Sequence, residues 1–593
     1  MNSTRTRFVA LLAVVAVALL AVVAGGTFVG ILGDGPTETD AVVPSDADRP
    51  ANPATNATIG YVGGYWYDDD LPVDDRDDAA LTEEELEAVV YRSMARVEVI
   101  RELAFEDEVS VEVVSREEYR DDHDDVFGSV PDDERLQENV NYEALFLVDR
   151  ATDAEDEYDS LYGGAVNGYY DPSSEEVVVV SDTPDAPETD EITLGHELLH
   201  ALQDQHFDLS SFDRSTIDGT AARNGLVEGD AVRVETEYEN RCETEWNCVR
   251  PAGGSSASSD INWGLYLILY QPYADGPAYV DYLKAQDDGW AAVDAAYDDP
   301  PASSSEVIRP GDERGPVDVD VPDRSSEEWD LFEVDGETAT ETVGEVGMVS
   351  MFAAGAFDAT PTVIDYDTFV DDGYEYDQPA TDGWAGDELV VYVSEDADPD
   401  DPTDSAEHAG YVWRSEWQTP EDADQFLEAY LDLLAGYDAE PVDDRANTYV
   451  IDEDYPGAYY VEADDDVVTI VRAPSVDDLE GIEEGASPAG EDTLAFAGPT
   501  DEGAAGSESA GSVDEPESGG SDDADAIAGA VDVGLGPMAT VTAIVAGTAI
   551  VIVVRRRASR NTAVNSTNAG SAARNEGFEP ANVEIASRDD DRR

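Results

Sequence analysis

Residues 196–209 read HELLHALQDQHFDL, and the histidines in this stretch decide how the chain is read. The protein has five histidines in 593 residues, and three of them fall within 196–206. On a helix, His196 and His200 stand four apart, so both imidazoles leave one face about one turn apart and can grip a single metal ion. Glu197 lies on the adjacent edge, where it can accept a proton from a metal-activated water. Ile192, Gly195, Leu199 and Leu202 recur at helical spacing and account for the buried face. That leaves His196 and His200 on a stripe with no packing duty.

Two residues compete for the third ligand position. His206 has the offset of a pattern HExxHxxGxxH, but that pattern needs a glycine to turn the chain out of the helix, and position 203 is Gln203. If the helix continues, His206 lies about 120° round from His200 and roughly 9 Å along the axis, too far to share an ion. The alternative is Glu228, in the helix-like segment 220–239 (TAARNGLVEGDAVRVETEYE). A carboxylate amid Leu226, Val227, Ala231 and Val232 faces a packed helix pair, where burial is costly unless it is paired or metal-bound. Gly229 would let the two helices approach closely. Glu228 is the expected ligand, with His206 a packing or supporting residue.

These segments resemble the gluzincin-type metallopeptidases, and in particular a set of haloarchaeal cell-surface proteins with HExxH-ALQDQHFDL and a later EGDA. The likeness continues through QPYADGPAYVDYL (Gln271 to Leu283), GWAAVDAAY (Gly289 to Tyr297) and PPASSSEVI (Pro300 to Ile308). It is weaker in GWAGDELVVY (Gly383 to Tyr392) and YVWRSEW (Tyr411 to Trp417), and it spans roughly Arg92 to Ala473. The resemblance implies Zn²⁺ held by His196, His200 and Glu228, with Glu197 as general base and acid, and a peptide or protein substrate. The chain departs from the group at Arg309, where the group has a histidine. Arg309 is accordingly a candidate donor to the oxyanion, with Tyr297 and Tyr273 as others.

Composition sets the solvent rather than the chemistry. There are 138 Asp and Glu against 31 Lys and Arg, a formal net charge of −107, and Lys284 is the one lysine. Such a chain is no unassisted nucleic-acid binder, because phosphate neutralisation needs cations. The acidic, lysine-poor composition resembles that of extreme halophiles, since molar salt cuts the Debye length to about 3 Å and removes most of the self-repulsion. With 41% hydrophobic residues and 28 Tyr, packed cores remain affordable and wholesale disorder is excluded.

The ends point to a membrane. Arg5 and Arg7 precede an apolar run from Phe8 to Gly33, longer than the roughly 7 to 15 residues of a signal h-region and long enough to span a bilayer. We expect a signal anchor or a signal peptide over 1–33. A second run, Gly534 to Val554, is followed by Arg555, Arg556 and Arg557, a stop-transfer signal under the positive-inside rule. The segment between the runs is then extracellular. Cys242 and Cys248, six apart, suit a short-loop disulfide in that oxidising setting. Asn56-Ala57-Thr58 is a glycosylation sequon on the same side.

The fold class expected is α+β: a zincin-like domain over 59–310, with the motif helix following a β-hairpin, and a second α+β module over 325–478. An acidic linker (34–58), a disordered acidic stalk (479–533), a transmembrane helix (534–554) and a cytoplasmic tail (555–593) complete the layout. Thr82 and Glu85 form a capping box for a helix, Val109 to Val114 and Leu145 to Val148 read as strands, and 166–170 with 175–180 read as a hairpin. The acid runs 68–78 and 396–404 lack EF-hand spacing and read as solvated faces.

Overall fold

In this computed structural model, residues 49 to 496 are described apart from short interruptions, the longest being 120–129 and 252–260, together with strands Val15–Leu19 and Gly547–Val551. The chain is α+β. Helix α1 (Glu83–Arg101) opens on the expected capping box, Thr82 accepting from the Glu85 amide while the Glu85 carboxylate accepts from the Thr82 amide. Strand β1 (Ser110–Ser115) follows. Helices α2 (Asp132–Ala144) and α3 (Ala154–Ala165) then form the crossover to a hairpin of β2 (Gly168–Asp171) and β3 (Glu176–Ser181). The sheet order is β1-β3-β2, with β1 parallel and β2 antiparallel to β3. Its central strand is the valine run EVVVVS, buried along almost its whole length, as a strand with neighbours on both edges requires.

Helix α4 (Glu191–Phe207) carries the HELLH stretch and is capped by Asp190, whose carboxylate accepts from the Ile192 amide. Helices α5 (Ile217–Thr244), α6 (Trp263–Ala285), α7 (Trp290–Asp298) and α8 (Ser304–Ile308) complete this half. The start of α4 is locked by charge in the core. Glu191 accepts from Arg92 at 2.8 Å, Arg96 at 2.6 Å, the Tyr238 hydroxyl at 2.8 Å and the Val249 amide at 2.9 Å. One carboxylate in the first turn of α4 therefore ties α1, α4 and α5 together.

The second half is an antiparallel sheet with helices on it. Its long strands are Trp384–Ser394, Ala409–Trp417, Gly457–Asp464 and Val467–Ala473, and short strands flank them, giving eight strands. Thr419 caps helix α9 (Pro420–Gly436), and Phe426 and Tyr430 of that helix pack edge-on against Trp413.

Four expectations are corrected here. Leu145–Val148 is not a strand: it turns off the end of α2, with Phe146 at φ +57° and the Leu147 amide bonded to the Tyr142 carbonyl. A short apolar run has no period long enough to tell a strand from a buried turn. The two halves are not separate bodies, because one hydrophobic core runs from Leu136 and Phe146 through Leu265 and Val349 to Trp413 and Ile470. Buried polar contacts cross the same boundary: Arg472 pairs with Glu143 at 3.1 Å, and Glu341 accepts from the Ile217 amide at 2.7 Å. The stalk begins later than expected. Residues 485–496 fold onto the sheet, where the Asn447 side chain accepts from the Thr493 amide at 2.8 Å and the Phe496 ring packs tilted against Tyr449, centroids 4.4 Å apart. Finally, within the two terminal apolar runs, Val15–Leu19 and Gly547–Val551 are strands paired antiparallel rather than helical turns. The first reads VAVAL and the second GTAIV, small and β-branched residues with no capping signal, a composition that suits either state. The remainder of each run, the linker before residue 49, the stalk after 496 and the tail lie outside the described residues. Among the described residues no helix is long and apolar enough to cross a membrane.

The Glu191 cluster makes a stability prediction. Glu191→Gln leaves Arg92 and Arg96 buried without full compensation and is expected to cost about 3–5 kcal/mol. Glu239→Gln, which breaks the exposed pair with Arg250, is expected to cost no more than about 1 kcal/mol. Denaturant unfolding at molar salt checks both, and equal costs would contradict the assigned role of Glu191.

Candidate metal centre

Helices α4 and α5 bring His196, His200 and Glu228 together. The Glu228 Oε2 lies 3.5 Å from Nε2 of His196 and 3.5 Å from Nε2 of His200, and one ligand atom from each residue lies within 4.8 Å of the others. All three are buried, with at most 2% of their surface exposed, so water does not neutralise the carboxylate. Glu228 Oε2 and His200 Nε2 have no hydrogen-bond partner. A cation between them meets that need, and two imidazoles plus a carboxylate suit a divalent metal.

Each imidazole is oriented from behind. His196 Nδ1 lies 2.9 Å from Glu235 Oε2, two turns along α5 from Glu228. His200 Nδ1 lies 2.7 Å from Gln203 Oε1, one turn along α4. Both Nε2 atoms therefore point towards Glu228, the arrangement in which the far nitrogen carries the proton and the near one offers its lone pair. Sequence reading missed Glu235 because acids are everywhere in this chain, and it noted Gln203 as the absence of a glycine.

The close helix approach at Gly229 is real, but its partner differs from the one expected. A Cβ at Gly229 would meet the Gly276 carbonyl oxygen at 2.3 Å, so the glycine serves the crossing of α5 with α6, not with the HELLH helix. On the α4 side the small residue is Gly195, where a Cβ would come 3.1 Å from the Tyr238 ring.

Glu197 sits at the same place with both carboxylate oxygens buried and without a hydrogen-bond partner. Burial, eased by His196 and reinforced by the charges of Glu228 and Glu235, pushes its carboxyl up to about 8. Burial also opposes ionisation of Glu228, but the two imidazoles outweigh it and hold that carboxyl down at about 2. The buried Tyr273 hydroxyl faces the same charges, and burial together with Glu228 and Glu197 pushes its ionisation far up, so it remains a donor.

Other sequence-selected residues lie elsewhere. His206 is no ligand: α4 runs on to Phe207, and the His206 Nε2 lies 2.8 Å from the Ala104 carbonyl. Arg309 is engaged by Glu345, by Asp377 at 2.7 Å and by Asp382 at 3.7 Å, all in the second half of the chain, and makes no ion pair with the triad. Tyr297 is hydrogen-bonded to Gln203 and Asp230. Cys242 and Cys248 form a disulfide, Cα to Cα 5.6 Å. Asn56 is exposed in a short 3-10 turn.

Residues 331–483 match a family described as a domain of unknown function, DUF8575. The match coincides with the sheet-bearing second half and excludes the triad. Neither the comparison with curated proteins nor that with solved structures returned a match.

Two outcomes follow from the geometry. Gly229→Ala must push α5 from α6 against backbone rather than a movable side chain, and is expected to cost about 1–3 kcal/mol; unfolding midpoints measure it. For pH, burial opposes protonation of His196, but Glu228 and Glu235 hold the proton on well above the usual histidine range. A metal must displace that proton, so affinity is expected to fall as pH falls, starting above about pH 6.5. Titration with Co²⁺ at several pH values tests this, and a flat profile would contradict it.

Proposed function

We propose that the chain is a membrane-anchored extracellular zinc metallopeptidase of gluzincin type, with a zincin-like fold over 59–310. The observation that carries this reading is the convergence of His196, His200 and Glu228 beside Glu197, whose carboxylate oxygens have no other partner. Zinc is favoured because the donors are nitrogen and oxygen, three in number, which leaves a position for a reactant. Both cysteines are tied up in their disulfide and offer no thiolate.

A zinc ion held there supplies Lewis-acid activation of water and of a peptide carbonyl. The remaining work falls to the chain. Glu197 accepts the proton of the attacking water and passes it to the departing amine. Of the three candidate oxyanion donors, Tyr273 suits the role best, because its hydroxyl is buried near the charges of Glu228 and Glu197 whereas Arg309 and Tyr297 are engaged elsewhere. Glu235 and Gln203 keep the imidazoles from rotating away. Anchoring at the membrane rests on the sequence alone, on the two apolar runs and their arginine flanks, and not on the paired strands Val15–Leu19 and Gly547–Val551; the Cys242–Cys248 bridge supports exposure to an oxidising exterior.

One observation favours a second reading, a non-catalytic cell-surface protein that keeps the metal-binding helix pair. The ligands and the Glu197 carboxylate are all buried, and hydrolysis needs a substrate to reach them. Full-length protein and Glu197→Gln, compared for zinc content and casein hydrolysis at molar salt, separate the two. The peptidase reading expects equal zinc and a loss of activity of at least about 100-fold in the variant. Equal zinc with no difference in hydrolysis would leave the non-catalytic reading.

A further inference from the structure

The EGDA segment contributes a second acid, Asp230, which the metal site does not use. Its surroundings form a continuous hydrogen-bonded chain. Arg101 of α1 donates through Nε to Asp230 Oδ1 at 2.9 Å. Tyr297 of α7 donates its hydroxyl to Asp230 Oδ2 at 2.9 Å. Gln203 Nε2 donates to the Tyr297 oxygen at 2.8 Å and to the Val227 carbonyl at 2.9 Å. Gln203 Oε1 then meets His200 Nδ1 at 2.7 Å. Gln203, Asp230 and Arg101 are each no more than 1% exposed.

The direction of this chain is fixed by chemistry. An ionised carboxylate only accepts, so Tyr297 must give its proton to Asp230 and can only accept from Gln203. Both amide hydrogens of Gln203 are thereby spent, one on Tyr297 and one on Val227, and its oxygen is forced towards His200. His200 must then carry its proton on Nδ1 and keep the Nε2 lone pair free. The Val227 carbonyl precedes Glu228, so the same amide also holds the third ligand's backbone.

Resting on the metal-site reading above, we infer that Gln203, aligned by Tyr297 and Asp230, is the positioning residue that fixes the His200 tautomer and sets its distance from Glu228. Asp230 is in this account the anchor of a relay from α1 to the metal ligand. Residue 203, whose lack of glycine argued against His206 as a ligand, is the residue that aims the neighbouring ligand.

The test is Co²⁺ binding to the full-length protein at molar salt, read by chelator competition and by the visible absorption of bound Co²⁺. Gln203→Met removes the acceptor at similar volume and is expected to weaken binding by about 10–100-fold and to shift the absorption. Gln203→Glu keeps an acceptor for His200 but loses both amide hydrogens, to Tyr297 and to the Val227 carbonyl, and is expected to recover only part of the affinity. Tyr297→Phe keeps the ring stacked on Phe207 at 4.0 Å and is expected to show a smaller loss, which decides the matter if Gln203→Met does not fold. His206→Ala should bind as the native protein does. If Gln203→Met and Tyr297→Phe both bind with native affinity and absorption while His200→Ala has lost the metal, the relay is wrong and the metal site stands. If the native protein takes up no metal, both fall together.

Discussion

The architecture of the first half depends on one requirement: a carboxylate, Glu228, is buried between two imidazoles, away from bulk solvent. Such a group is tolerated only with a positive partner close by. Meeting that requirement fixes the crossing of α4 and α5, because a shift along either helix would separate Glu228 from one histidine. The supports around it maintain this alignment. Glu191 pins the first turn of α4 to Arg92 and Arg96, Gly195 admits the Tyr238 ring, and Gly229 brings α6 close behind α5.

The cations of this acidic chain acquire a second role in the fold. From sequence, the arginines stand out where they cluster at the ends. Several in the folded part are instead buried, and each meets an acid there: Arg92 and Arg96 with Glu191, Arg101 with Asp230, and Arg472 with Glu143. The surface charge depends on salt for screening, whereas these interior pairs are shielded from it. Arg472 and Glu341 also explain why the halves share a core, since the acids and arginines that must be satisfied come from both.

What was legible in the sequence was what local rules encode. The Thr82–Glu85 box, the hairpin around 172–175 and the four-residue histidine spacing are each set within a few residues. Glu228 was legible because apolar neighbours singled it out. Glu235 was not: it lies on the mostly polar side of α5, and nothing local separates it from its many acidic neighbours. Gly229 could be read as a close contact but was given the wrong partner, since the identity of the packed helix is a tertiary fact. The continuous core and the anchoring of 485–496 by Asn447 were hidden for the same reason, as both depend on contacts between segments far apart in sequence.

His196, His200 and Glu228 form the group that would hold the metal ion, and everything proposed for the site depends on it. X-ray absorption at the zinc edge of the full-length protein, loaded at molar salt, reads the ligand set directly. The account predicts one zinc per chain in a shell of two imidazole nitrogens with oxygen completing it, at about 2.0–2.2 Å. A shell with three imidazoles, or a chain that takes up no zinc, would contradict it.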